Sequence, residues 1–100
     1  MNASTLPPTD DAPISAHEFG VLRWRCRRGM LENDLLIERF FAHRGEQLSR
    51  REAQTLTQLM DLSDNDLLDV LLARKPASDF GDAYAMPDMA QLVRMMQAKH

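Results

Sequence analysis

One cysteine, one tryptophan, one tyrosine and four glycines are all that 100 residues contain of these types, and each shortage removes a class of protein. A lone thiol, Cys26, closes no internal disulfide and builds no zinc site by itself. Neither a stapled secreted scaffold nor a metal module is available, and a reducing compartment is expected. Four scattered glycines make no phosphate-cradling loop, and no histidine or acid falls at a metal-ligand spacing. Aromatics at 6%, with Leu and Met far ahead of Val and Ile, argue against a sandwich of β-strands. A formal net charge of −3 argues against a protein that coats nucleic acid, because phosphate binding needs a basic face. No window is apolar enough to span a bilayer, so no membrane insertion is expected. The opening MNASTLPPTDDAPISAHE holds no basic residue and no apolar run, unlike a secretory signal or an Arg-rich presequence. The expected location is the bacterial cytoplasm, or an organelle matrix if a presequence has been removed.

What remains is helical patterning. Residues 1–14 are polar, proline-bearing and aperiodic, and predict a disordered tail ahead of a single helical domain over 15–100. Ser15 and Glu18 form a capping box, after which Phe19, Leu22 and Cys26 share one face of a first helix that ends at Gly29, with Arg27 and Arg28 in its last turn. A second helix over about Leu31 to His43 turns Leu36, Ile37, Phe40 and Phe41 inward. A third starts at the box Ser49 to Glu52 and turns Ala53, Leu56, Leu59 and Met60 inward. A fourth starts near Ser63, buries Leu67, Leu68, Leu71 and Leu72, and is stopped by Lys75-Pro76. Residues 77–87 read as an irregular loop, and Met89, Leu92, Val93 and Met96 form the stripe of a last helix. The architecture expected is all-α, a compact bundle of five short helices, monomeric.

The local anomaly is LRWRCRRGMLEND, where four of the twelve basic side chains fall between Arg23 and Arg28, around the only tryptophan and the only cysteine. Two readings stand side by side. In one, Glu32 and Asp34 balance Arg27 and Arg28 across a turn supplied by Gly29. In the other, the corner is an interface, since surface ion pairs contribute only about 0–1 kcal/mol and stability gives little reason to crowd four guanidinium groups. Trp24 beside arginine has the composition of an interface hot spot, or else is a half-buried core residue. Cys26 lies on the apolar stripe and reads as an inert core thiol. No catalytic residue is expected, because Glu32 and Asp34 diverge on a helix and no histidine is placed to activate Cys26. The acids Asp61, Asp64, Asp66 and Asp69 read as helix capping and a solvated face, with some available to the arginine cluster or to a basic partner.

With those residues in view, the chain resembles the small FAD assembly factors of succinate dehydrogenase, the flavinylation factors whose signature is R-G-x-x-E, here Arg28, Gly29 and Glu32. The surround is similar too, in Trp24, Cys26, Arg27, Met30 and Asp34, and the likeness runs on through Phe40-Phe41, Leu48-Ser49, Asp64, Asp66, Leu67, Lys75-Pro76 and the closing LVRMMQ. Asn33 stands where the family usually has leucine, and Val70 where many members have tryptophan. The resemblance implies a non-enzymatic helper that binds the flavoprotein subunit of succinate dehydrogenase, and often of fumarate reductase, and promotes covalent attachment of FAD to it without stably holding FAD. It implies partner contacts at Trp24, Arg27, Arg28, Gly29, Glu32 and Asp34. The reading from another class is a small helical regulator, antitoxin-like or DNA-binding, that uses the arginine helix.

Overall fold

A computed structural model describes residues 12–44 and 47–97. Those described residues form five α-helices, α1 (Ala16–Arg25), α2 (Leu31–Arg44), α3 (Arg50–Leu59), α4 (Asp64–Leu71) and α5 (Pro87–Gln97), so the all-α bundle expected from the patterning is what forms. No helix among the described residues is long and apolar enough to cross a membrane.

The helix starts follow the caps. Ser15 and Glu18 bond reciprocally at 3.0 Å in each direction, as do Ser49 and Glu52 at 2.9 and 3.0 Å, and Ser63 Oγ accepts the Asp66 N–H at 3.2 Å. Each cap satisfies amides that a helix start leaves unpaired. The Ser15 backbone bond, followed by Arg50 at 3.0 Å, holds the Glu18 carboxyl below its usual value.

The helix ends depart from the sequence reading. α1 stops at Arg25 with Cys26 as its cap, so Arg27 and Arg28 lie in the linker, and its last turn carries Arg23 and Arg25 instead. α4 ends at Leu71, ahead of Lys75-Pro76, because Ala73 adopts a left-handed φ of 60° and breaks the helix first. The stretch 77–87 is more ordered than an irregular loop. Two 3-10 turns, Ala77–Phe80 and Asp82–Ala85, meet at Gly81, whose φ of 125° suits glycine, and Pro87 then opens α5.

α2, α4 and α5 pack on one another, and α3 packs on α5. Between them lie Ile37, Phe40, Phe41, Leu56, Leu59, Leu67, Met89 and Leu92, all essentially inaccessible. α1 joins through Leu22 and Cys26, and through Phe19, whose ring meets Phe41 edge-on at 5.5 Å. The stripe of α4 is corrected: Leu67, Val70 and Leu71 are buried, Leu68 is half-buried and Leu72 is exposed. Val70 falls three residues after Leu67 on the inward face, and its carbonyl accepts the side-chain amide of Gln97 at 2.7 Å.

The tail boundary also moves. Ile14 is buried, its N–H donates to the Leu48 carbonyl at 3.0 Å, and the Ala12 carbonyl accepts from Arg50 N–H at 3.0 Å. Residues 12–14 thus belong to the packed unit. The expectation of disorder over residues 1–11 lies outside the described residues.

Candidate docking corner

The linker 26–30 has to reverse the chain between α1 and α2. It begins with the Cys26 N–H bonded to Leu22 O at 3.0 Å and the Arg27 N–H to Trp24 O at 3.2 Å, a tightening of the last turn. Gly29 then takes φ +84°, a region that side chains disfavour. A Cβ built on it would meet nothing within 4 Å. The glycine is therefore demanded by the backbone rather than by crowding, and open space lies above it.

Asp34 looks back from the first turn of α2. Its two oxygens accept the backbone N–H groups of Arg28 at 2.8 Å and Gly29 at 3.2 Å. One carboxylate thereby pairs two amides that the turn would otherwise leave without partners. The charge-balanced corner is corrected at this point: Asp34 answers the peptide backbone, not the guanidinium groups.

Arg28 points beneath the corner to the turn between α3 and α4. Its Nε donates to Asp64 Oδ1 at 2.8 Å, Nη2 to the Leu62 carbonyl at 2.6 Å and Nη1 to the Met60 carbonyl. Only 17% of its side chain is exposed. Guanidinium geometry suits this, because its fixed fork of donors can serve the free carbonyls at a helix end together with a carboxylate. Beside it, the wholly buried Asn33 donates from Nδ2 to the Asp64 carbonyl at 2.9 Å and to Met30 Sδ at 3.4 Å, while its Oδ1 has no partner among the described residues.

The upper side is different. Trp24 is 70% exposed, which excludes the half-buried core alternative for it. Leu31 and Leu35, four apart on α2, are 68% and 58% exposed and flank Asp34 on the same face. Glu32 and Arg27 are exposed, and neither side chain has a polar partner among the described residues. An open groove between α1 and α2 is lined by Arg23, Trp24, Arg27, Asp34, Ile37 and Glu38, and the Arg23–Glu38 pair at 2.6 Å spans it.

Cys26 lies at the floor of the groove, 1% exposed. Burial pushes its thiol from 9.0 up to about 12, with Glu38 adding to the effect and Arg28 opposing it. A thiol so protonated at neutral pH is no nucleophile.

Of the residues expected at the corner, Trp24, Arg27, Arg28, Gly29 and Asp34 line this groove and Glu32 does not, while the guanidinium of Arg28 turns away to the α3–α4 turn. Asp64 and Asn33 were missed as its supports. The acidic run had been singled out as available to the arginines, but linear spacing gave no means of choosing Asp64 from its neighbours. Asn33 had no signal beyond its departure from the family's leucine.

These features define a small all-α protein with a surface corner that is braced beneath and open above, where Arg27 and Glu32 have no side-chain polar partner among the described residues. The model of a family described as flavinator of succinate dehydrogenase matches residues 21–100, and the chain belongs to that family. It is 43% identical over 94 residues to the FAD assembly factor SdhE of Ralstonia nicotianae, covering 94% of this chain and 95% of the relative. Similar proteins of the same name occur in Coxiella burnetii, 47% identical over 51% of this chain and 62% of the relative, and in Xylella fastidiosa, 36% identical over 79% of this chain and 78% of the relative. No solved structure matches the chain.

Proposed function

We propose that this chain is an FAD assembly factor: it binds the flavoprotein subunit of succinate dehydrogenase, or the related subunit of fumarate reductase, and promotes covalent attachment of FAD there. It does so as a monomer in the bacterial cytoplasm, holds no FAD stably and makes no bond itself. Family membership supports the activity, and one observation carries the choice of surface. Trp24 and Arg27 stand exposed beside the open face of Gly29, Glu32 is exposed in the first turn of α2, and neither Arg27 nor Glu32 has a side-chain polar partner among the described residues, on a corner braced from below.

An interface of this kind can act by position alone. Holding reacting groups in a productive geometry can remove about 7–11 kcal/mol of barrier in well-oriented systems. The client supplies the attachment residue and binds the flavin, and the helper selects the client conformer in which they meet. In this reading Trp24, Arg27 and Glu32 touch the client, Gly29 lets its backbone approach closely, and Asp34 and Arg28 keep the corner in shape.

The pairing pattern also counts against the DNA-binding alternative. Of the four clustered arginines, Arg23 is paired with Glu38 and Arg28 with Asp64, which leaves too little free charge on that face for a phosphate-binding surface.

The test is to produce the flavoprotein subunit in cells with and without this chain and to measure covalent flavin by in-gel fluorescence. Covalent flavin should rise with the chain present, and the tagged chain should co-purify with the subunit. Equal flavin in both cases refutes the proposal.

A further inference from the structure

We propose that Asp64, the first residue of α4, is a positioning residue for client docking: it grips both arms of the α1–α2 corner and fixes the angle at which Trp24 and Glu32 are presented. This rests on the docking function proposed above. Asp64 makes two separate ties. Its side chain accepts from Arg28 Nε at 2.8 Å, on the arm entering the corner, and its carbonyl accepts from Asn33 Nδ2 at 2.9 Å, on the arm leaving it. Gly29 lies between those two anchors with a glycine's freedom of backbone. Asp34 pairs the amides of Arg28 and Gly29 from within α2, but it cannot set how the corner sits on the rest of the bundle, because it belongs to the corner itself. That relation runs through the α3–α4 turn, where the Met60 and Leu62 carbonyls also accept from the Arg28 guanidinium and Asp64 supplies its one side-chain acceptor among the described residues.

The energetics separate this role from simple stabilisation. The Asp64 side chain is 41% exposed, and ion pairs of that exposure contribute little to folding. Loss of Asp64 should therefore appear in the corner's geometry before it appears in the melting temperature. Ser63 provides a matched control. Its hydroxyl caps α4 through the Asp66 N–H at 3.2 Å, and among the described residues it makes no bond to Arg28 or Asn33, so Ser63→Ala weakens the same helix start without releasing the corner.

The full-length chain and its Ser63→Ala, Asp64→Ala and Asp64→Asn variants would be compared in three measurements. These are the thermal midpoint, the fluorescence anisotropy of Trp24, which is the sole tryptophan, and the Kd for the purified apo flavoprotein subunit of succinate dehydrogenase. If about one Asp64→Ala molecule in ten holds the productive corner, apparent binding weakens about tenfold, with lower Trp24 anisotropy in the free protein. Ser63→Ala should keep both near wild type despite an equal or larger drop in midpoint. Asp64→Asn retains the acceptor without the charge and should fall between wild type and Asp64→Ala. Equal binding and equal anisotropy for Asp64→Ala and Ser63→Ala overturn the proposal. Should Asp64→Ala fail to fold, Asp64→Asn takes its place, and binding no weaker than that of Ser63→Ala overturns it equally. A wild-type chain that does not bind the subunit defeats the functional reading itself, and that failure is seen before any variant is made.

Discussion

The guanidinium of Arg28 donates to a carboxylate and two carbonyls on a single turn, so removing it leaves the Met60 and Leu62 carbonyls without that donor. Hydrogen bonds from a charged group contribute about 1.5–3 kcal/mol, and Arg28→Ala should lower unfolding free energy by about 2–3 kcal/mol. Chemical denaturation would check this; a loss under about 0.5 kcal/mol, as for an ordinary surface substitution, would contradict the bracing role. Cys26 offers a pH test. Its thiol is raised from 9.0 to about 12 in the folded chain, so the folded state holds its proton where the unfolded state gives it up. This contribution is full below pH 9, and is lost as pH rises from about 9 toward 12. Wild type should therefore lose stability over that alkaline range faster than Cys26→Ala, although Cys26→Ala starts lower at neutral pH. Melts across the range would decide, and parallel curves would contradict the burial of the thiol. That Cys26 belongs to the core was legible in its spacing from Phe19 and Leu22. That Arg28 turns inward was not, because its acceptors lie more than thirty residues further along and two of them are backbone carbonyls, which carry no side-chain signature.

At the scale of elements, starts were more legible than ends. Ser15, Ser49 and Ser63 announce α1, α3 and α4 because a side-chain acceptor three residues before a free amide is a local device. The ends of α1 and α4 are set by tertiary packing instead. Cys26 is drawn into the core, which turns Arg27 and Arg28 out of the helix, and α4 closes at Ala73 because the chain must turn away there. Ala73 holds φ 60° without being a glycine, a conformation that costs an L-residue about 1–2 kcal/mol. Ala73→Gly should therefore raise stability by about 1 kcal/mol after the larger backbone entropy of glycine is set against the relieved strain. A rise of a few degrees in the melting midpoint is expected, and a fall would show that Ala73 is not strained. The two 3-10 turns before α5 were read as irregular because four-residue helices carry no periodicity to detect. They are held from outside, by Tyr84 Oη donating to the Gln58 carbonyl at 3.2 Å and by the packing of Ala77 and Phe80 against the core.

For the whole molecule, a short chain with a thin core packs α2, α3, α4 and α5 together and sets α1 at the edge, tied in by side chains. This arrangement lets the α1–α2 corner be a surface feature while its supports reach α4. Val70 is wholly buried, with Gln97 bonded to its carbonyl. The all-α class was legible throughout, since leucine spacing at three and four residues leaves no other regular structure open. The division of the corner into a bonded underside and an open upper side was not, since it depends on a turn distant in sequence. The central claim is that the open side binds a flavoprotein, and the most direct measurement is covalent flavin in the succinate dehydrogenase subunit made with Glu32→Ala or Gly29→Asn in place of the wild-type chain. Asparagine tolerates the left-handed backbone of Gly29, and both sites face open space, so melts should find each variant folded. In-gel flavin fluorescence of the subunit should then fall well below the wild-type level with either one. Wild-type flavin in the presence of stably folded Glu32→Ala and Gly29→Asn would contradict the account and leave the corner as a turn with no partner to bind.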